Sequence, residues 1–240
     1  MKNRITEAHN IAYDNFDREL KEHEKYLLQL LQDYQQKQSV NVLDLGCADG
    51  LFMEVISKKL KCKRIDGIDN DINLVSRALD RKYNSPLNDV FLWDVMDVGK
   101  HDSPLINRKY DYIIASGIFG FFDEFDSIVE SLHSLLEDNG TLFIFNRCNS
   151  SGVDLKYAIK DTKNVAWDQN YHVFSVESFT KKFSKYFNKI SSRKFELDMD
   201  ISPRDDIYSS FTIKTEDNMR MVMTKYNLIN EYYFFIASKT

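Results

Sequence analysis

Asn41-Val42-Leu43-Asp44-Leu45-Gly46-Cys47-Ala48-Asp49-Gly50 is the stretch from which the fold can be read. Val42, Leu43 and Leu45 make a short apolar run, the pattern of a buried strand. Gly46 to Gly50 follow with small side chains, which let backbone approach a ligand closely. Beyond them Leu51, Phe52, Val55, Ile56 and Leu60 fall at helical spacing. Strand, glycine-rich turn and helix in this order hold a nucleotide-like ligand at the strand ends of an open parallel sheet. The small residues read G-x-A-x-G, which is not the G-x-G-x-x-G of dinucleotide folds. Asp44 also places a carboxylate at the strand end, where it would repel a pyrophosphate and attract a cationic ligand.

Three further strands follow the same plan. Residues 64–69 (RIDGID) form the second and end in Asp69, with Asn70 beside it. The next segment is amphipathic through Ile72, Val75, Ala78 and Leu79. An acid in this place can accept two hydrogen bonds from a ribose diol. NAD enzymes use the same device, so Asp69 alone does not separate the cofactors. It could also cap the helix near Ile72, although Asp71 lies closer to that helix. Residues 90–93 form the third strand, followed by Asp94 and Val95; Asp97 competes with Asp94 for the strand-end role. Residues 110–116 form the fourth and run into Gly117-Ile118-Phe119-Gly120. A helix over 125–137, a turn at Asp138-Asn139-Gly140 and a fifth strand over 141–145 complete the series.

Composition narrows the class. The 240 residues suit one domain, and 43% hydrophobic content supports a sizeable core. A net charge of −5 argues against broad nucleic-acid binding, which needs a basic face. The three cysteines, Cys47, Cys62 and Cys148, form no CxxC pair, so reduced thiols in the cytoplasm are expected. The start, MKNRITEAHN, has no apolar signal-like core, and no apolar run approaches a membrane span, so neither secretion nor membrane insertion is expected.

Asp44, Gly46 and Gly50, with Ala48 in place of a middle glycine, match the first motif of the class I S-adenosylmethionine (SAM)-dependent methyltransferases, D/E-x-G-x-G-x-G. Together with Asp69, Asp94 and the helix–turn–strand run LLEDNGTLFIF, the chain resembles that family over roughly residues 40 to 147. The resemblance implies an α/β fold: a Rossmann-like seven-stranded sheet with helices on both faces. An N-terminal helical lid (1–38) would precede the SAM-binding core (40–147). The substrate side (148–240) would carry a C-terminal β-hairpin. The resemblance implies SAM as cofactor, held by Asp44, Gly46, Cys47, Ala48, Gly50, Asp69, Asn70, Asp94, Val95 and Ser116. Asp69 would meet the ribose and Asp94 the adenine amino group, with Trp93 as a candidate wall for the ring. Many small-molecule members carry a Glu-His pair after the fourth strand; here Gly120 and Phe121 stand in those places.

The N-terminal helix reads as 12–36, with Phe16, Leu20, Leu27, Leu30, Leu31 and Tyr34 roughly on one face. Residues 148–172 are polar and aromatic and follow the fifth strand, so a loop on the ligand edge is expected. A helix starts near Ser175, strands cover 189–197 and 232–238, and 209–226 alternates as a hairpin between them. His172 is the candidate base for removing an acceptor proton. The remaining histidines, His23 among them, read as helix or surface residues. Tyr13, Phe119, Arg147, Tyr171 and Arg204 are candidate substrate contacts, the arginines for an anionic group.

Several subclasses are disfavoured by absent motifs. No Pro-Pro-aromatic motif follows the fourth strand, no Pro-Cys occurs, and the paired glutamates of protein-arginine enzymes are missing. Asp123, Glu124 and Asp126 suit a helix start better than a metal site, and no metal is expected. What remains is methyl transfer to a polar small molecule, with O-methylation of a sugar or glycan precursor as the favoured reaction. A non-catalytic SAM-binding subunit and an NAD-dependent oxidoreductase are the alternatives.

Overall fold

The computed structural model describes residues 15–81, 83–84, 86–160, 168–204 and 209–239. Helix α1 (Glu22–Tyr34) leads into β1 (Val40–Leu45), α2 (Leu51–Lys59), β2 (Cys62–Asp69), α3 (Ile72–Leu79) and β3 (Leu87–Leu92). Then come β4 (Tyr110–Ser116), α4 (Asp126–Leu135) and β5 (Leu136–Asn149). The last third holds β6 (Leu155–Lys160), β7 (Asp168–Ser175), α5 (Val176–Phe183), β8 (Lys189–Phe195), β9 (Ser210–Lys214), β10 (Arg220–Thr224) and β11 (Ile229–Ser238).

The sheet runs β3-β2-β1-β4-β5-β11, with β8 paired to the far edge of β11. Its first five strands are parallel, and β11 is antiparallel to both neighbours. The expected Rossmann-like α/β sheet is present, and β6, β7, β9 and β10 extend it to eleven strands. The order reverses between β1 and β4, and a crevice opens outside the carboxyl ends at such a switch point. The reason lies in β1 and β4, where nearly every residue is buried, so helices must cover both faces. One face packs Leu27, Leu31, Met53, Ile56, Phe143 and Phe234 under α1 and α2. The other packs Ile128, Leu132, Phe119, Phe125, Phe179 and Phe183 under α4 and α5.

Capping explains where helices begin. Asp71 accepts the backbone N–H groups of Asn73 and Leu74 and so starts α3, which leaves Asp69 to other work. Ser175 accepts the Ser178 N–H and starts α5 at the expected place. Two expectations need correction. The first helix begins at Glu22 rather than residue 12 of the expected span, because Glu24 reaches back to the Lys21 N–H and closes a capping box there. Residues 15–21 are not helical, and 1–14 lie outside the described residues. The expected polar loop contains an antiparallel pair, β6 against β7. Its polar composition hid it, because β6 exposes most of its side chains. The β9–β10 hairpin forms as expected and joins the start of β11 at Ile229 and Asn230.

Candidate active site

A cleft of about 290 Å³ lies at the carboxyl ends of β1, β2, β3 and β4, with Phe145 of β5 on one side. Asp44, Gly46, Cys47, Ala48, Asp69, Asn70, Asp94, Val95 and Ser116 all line it. These nine come from four strand ends, which the parallel register brings side by side. Gly50 does not line the cleft. It precedes α2 with φ +72°, and its missing side chain makes room for Tyr83 and Ala78.

The three strand-end acids differ in their partners. Asp44 is 4% exposed, and no donor among the described residues reaches its carboxylate. Burial first, then Glu24, Asp69 and Asp49, push its pKa up to about 8. Asp69 accepts the Ala48 N–H and the Asp71 N–H, both at 2.9 Å. It therefore fixes the turn after β1, and each oxygen keeps a second lone pair. Burial raises its pKa, and these backbone N–H groups oppose the rise. Asp94 accepts the Met96 N–H at 2.9 Å, opening a short 3-10 turn over Val95–Asp97. Gly117, at φ +72°, has open space where a Cβ would point, so the end of β4 leaves room in the cleft.

Residues 18–24 form a wall that the sequence did not reveal. Arg18, Lys21, His23 and Glu24 all line the cleft. Arg18 grips Glu24 with both guanidinium ends, at 2.9 and 3.1 Å. Arg81 ties this wall to the sheet. It donates to the Asp49 carboxylate at 2.7 Å and to Phe16 O at 2.8 Å, and it stacks over the Phe16 ring. His23 lies flat on Phe145, with ring centroids 4.3 Å apart. Burial lowers its pKa to about 4, so the imidazole is neutral at neutral pH.

On the β5 side, Arg147 is ringed by tyrosines from separate elements. It lies over Tyr171 of β7 (4.6 Å) and Tyr232 of β11 (5.8 Å) and donates to the Tyr157 hydroxyl of β6. Tyr226, between β10 and β11, also borders it. Two ring contacts join this group to the cleft: Tyr171 on Phe121 (5.1 Å) and Tyr232 on Phe145 (5.3 Å). Gly120, in the place where many small-molecule members carry the Glu of a Glu-His pair, has no room for a side chain: a Cβ there would lie 2.5 Å from the Tyr171 ring.

Other candidates fall elsewhere. Phe119 is fully buried among Phe125, Phe179 and Phe183, so it is core rather than substrate contact. His172 does not line the cleft; its Nδ1 lies 3.3 Å from Phe122 O and 3.6 Å from Asp123. Arg204 is exposed between β8 and β9, away from the cleft. Trp93 packs against the core and donates its indole N–H to Asp97 O. Tyr13 lies outside the described residues.

The protein family described as "Methyltransferase domain" matches residues 14–188. The chain belongs to this family. Its cofactor is S-adenosyl-L-methionine, and the cleft suits that cation: an unpartnered buried carboxylate, Asp44, faces the turn, and the cleft stays open at Gly117. The chain is similar to malonyl-[acyl-carrier protein] O-methyltransferase 1 of Ilyobacter polytropus, 25% identical over 148 residues, covering 62% of this chain and 52% of that protein. It is 26% identical over 130 residues to the Acetivibrio thermocellus malonyl-[acyl-carrier protein] O-methyltransferase, covering 54% of this chain and 43% of that one. The chain thus spans about half the length of the curated relatives it matches. Among solved structures, a putative SAM-dependent methyltransferase from Listeria monocytogenes superposes with TM-score 0.59 at 14% identity, covering 90% of this chain and 98% of that one. The N-methyltransferase NodS of Bradyrhizobium japonicum, bound to S-adenosyl-L-homocysteine, gives 0.56 at 14% identity, covering 98% and 94%. These likenesses show the fold.

Proposed function

We propose that this chain transfers the methyl group of SAM to an oxygen of a polar small molecule. The observation that carries this reading is the convergence of Asp44, Asp69 and Asp94 with the Gly46–Ala48 turn on one cleft. When bound, SAM supplies a sulfonium methyl group already activated for displacement, so alignment is the main task left to the protein. In our reading Asp44 meets the cationic end of the donor, Asp69 the ribose hydroxyls, and Asp94 with the Val95 N–H the adenine. Residues 18–24 close one side as part of a lid over 1–38, residues 40–147 hold the donor, and residues 148–240 shape the acceptor side. With the donor bound, an acceptor oxygen would take the methyl group and leave the electron pair on sulfur, a hydroxyl acceptor giving up its proton to a base or to water.

Support for oxygen rather than nitrogen comes from the curated relatives, both described as O-methyltransferases. Their acceptor is malonyl-[acyl-carrier protein]. A sugar or glycan precursor remains the acceptor class read from the low charge and the aromatic edge of this chain.

Thermal unfolding with S-adenosylhomocysteine tests the donor assignment, with NADH as control. Ligand at 100 times its dissociation constant adds about 2.7 kcal/mol. A shift with NADH alone, or none with S-adenosylhomocysteine in protein shown to be free of bound ligand, removes the reading. Release of S-adenosylhomocysteine from SAM with nucleotide sugars would then establish turnover and the sugar class together.

A further inference from the structure

His23 lines the cleft with both ring nitrogens uncommitted: neither has a hydrogen-bond partner among the described residues, and neither is sealed from solvent. Phe145 fixes the plane of its ring. The two rings lie 3° from parallel, and Phe145 is itself held by Phe195, Tyr232 and Phe234. Phe145 stands opposite Ser116 in the β4–β5 register, and its carbonyl accepts the Gly117 N–H at 2.7 Å. His23 therefore borders the part of the cleft that Gly117 leaves open.

The carboxylates of the cleft have other partners or other work. Glu24 is occupied by Arg18 and the Lys21 N–H, Asp69 holds the turn after β1, and Asp94 caps the turn at Val95. Asp44 is the group that meets the donor's cationic end. His172 lies outside the cleft. Burial keeps the His23 imidazole neutral, and a neutral imidazole carries a lone pair on one nitrogen. Its weak basicity suffices for a methyl transfer. The acceptor oxygen gains positive charge as it bonds to carbon, and its proton is then far more acidic than that of an imidazolium.

Building on the oxygen methylation proposed above, we infer that His23 is a catalytic residue, the base that takes the proton of a hydroxyl acceptor. His23 gains an N–H bond as the O–H bond breaks. The carbon–oxygen bond forms as the carbon–sulfur bond breaks, and the electron pair stays on sulfur. One positive charge enters the step on sulfur and leaves it on the imidazole, so the charge inside the cleft is unchanged. Glu24 beside the ring favours that cation, Arg18 and Lys21 oppose it, and Asp44 and Asp69 line the same cleft. The proton then passes to water.

NMR of the whole chain with labelled histidines tests the placement. The His23 ring, identified by its loss in His23→Phe, is titrated with pH in the presence of saturating SAM and again with saturating S-adenosylhomocysteine. A base beside the reacting methyl group feels the positive charge of SAM and not the neutral sulfur of the product. Its pKa should therefore be at least one pH unit higher with S-adenosylhomocysteine, while that of His172 stays the same. Equal values for His23 overturn the inference. Release of S-adenosylhomocysteine with nucleotide sugars then separates a base from a bystander. His23→Gln should lower kcat at least a hundredfold, leave the KM for SAM within threefold, and abolish the fall of kcat at acid pH. His23→Phe, which keeps a ring on Phe145, should do the same and serves should His23→Gln fail to fold. Wild-type kcat, or an unchanged acid fall, overturns the catalytic role. Failure of every sugar to turn over counts against the sugar class proposed above, and the titrations still decide His23. A missing S-adenosylhomocysteine thermal shift removes the donor reading and this inference with it.

Discussion

Replacing Asp44 with asparagine should make the empty protein more stable and the donor-binding protein worse. Asp44 is enclosed at the end of β1, and burial, Glu24, Asp69 and Asp49 raise its pKa from 3.8 to about 8. Between those values the folded chain holds a proton that the unfolded chain has released, so stability falls as pH rises through this window. Each pH unit costs about 1.4 kcal/mol. By neutral pH the loss is on the order of 4 kcal/mol, and it levels off above about pH 8. Asparagine keeps the size and removes the titration. Asp44→Asn should therefore flatten the decline of melting temperature across roughly pH 5 to 8 and raise it most at the alkaline end. A cationic donor reverses the balance, because its positive charge favours the ionised carboxylate. Losing a charged hydrogen bond worth about 1.5 to 3 kcal/mol should weaken the donor roughly tenfold to a hundredfold. Thermal melts over pH, with and without S-adenosylhomocysteine, read both effects. Titration calorimetry of the wild type in two buffers of different ionisation enthalpy should show up to one proton released on binding near neutral pH. An unchanged pH slope together with unchanged affinity in Asp44→Asn would refute the reasoning.

His23 works with the opposite sign. Its pKa is lowered from 6.5 to about 4, chiefly by burial, so stability is lost as pH falls through that interval, by on the order of 3 kcal/mol. His23→Phe keeps a ring on Phe145 and should shrink the acid-side fall in melting temperature. Gly67 lies in β2 where a Cβ would sit 2.5 Å from Met53 Sδ and 2.8 Å from Cys47 Sγ. Gly67→Ala should cost about 1 to 3 kcal/mol in a denaturant melt and weaken S-adenosylhomocysteine, since Cys47 belongs to the turn after β1. Arg81→Ala strips the fully buried Asp49 of its main partner and frees Phe16 O, with an expected loss of about 3 to 5 kcal/mol. Proteolysis should then cut first within residues 15–21, and protection unchanged from the wild type would argue against Arg81 as the tie that holds this wall.

The strand-end side of the cleft was legible in the sequence because it is local. Asp44 with Gly46, and Asp69 with Asn70, sit at the ends of apolar runs, and a parallel sheet places such ends together whatever the loops do. Even the assignment of caps followed from distance along the chain, with Asp71 rather than Asp69 starting α3. The other wall was not legible. His23 sits in an ordinary run of polar helix residues, and only its stacking on Phe145, more than a hundred residues away, brings it into the cleft. Phe119 failed in the opposite direction: it adjoins the Gly117 turn after β4, which lines the cleft, yet its ring turns into the aromatic core beneath α5.

The Arg147 group shows why the β5 side of the fold resists a sequence reading more than the strand ends do. Its members come from β5, β6, β7, the turn after β10 and β11, elements that no spacing rule relates. What joins them is the reversed strand. Because β11 runs antiparallel to β5, Tyr232 lies directly opposite Arg147, and the turn before β11 folds back over the same strand end. The β6–β7 pair reaches it from the other side, since β7 joins β5 only at Cys148 and Asn149 and leaves Tyr171 free to cross Gly120. A parallel continuation in place of β11 would begin its strand at the opposite edge of the sheet and carry its turn away from the cleft. The inversion of β11 therefore also delivers Tyr226 and Tyr232. Their meeting around Arg147 depends on register between distant strands, not on any motif along one of them.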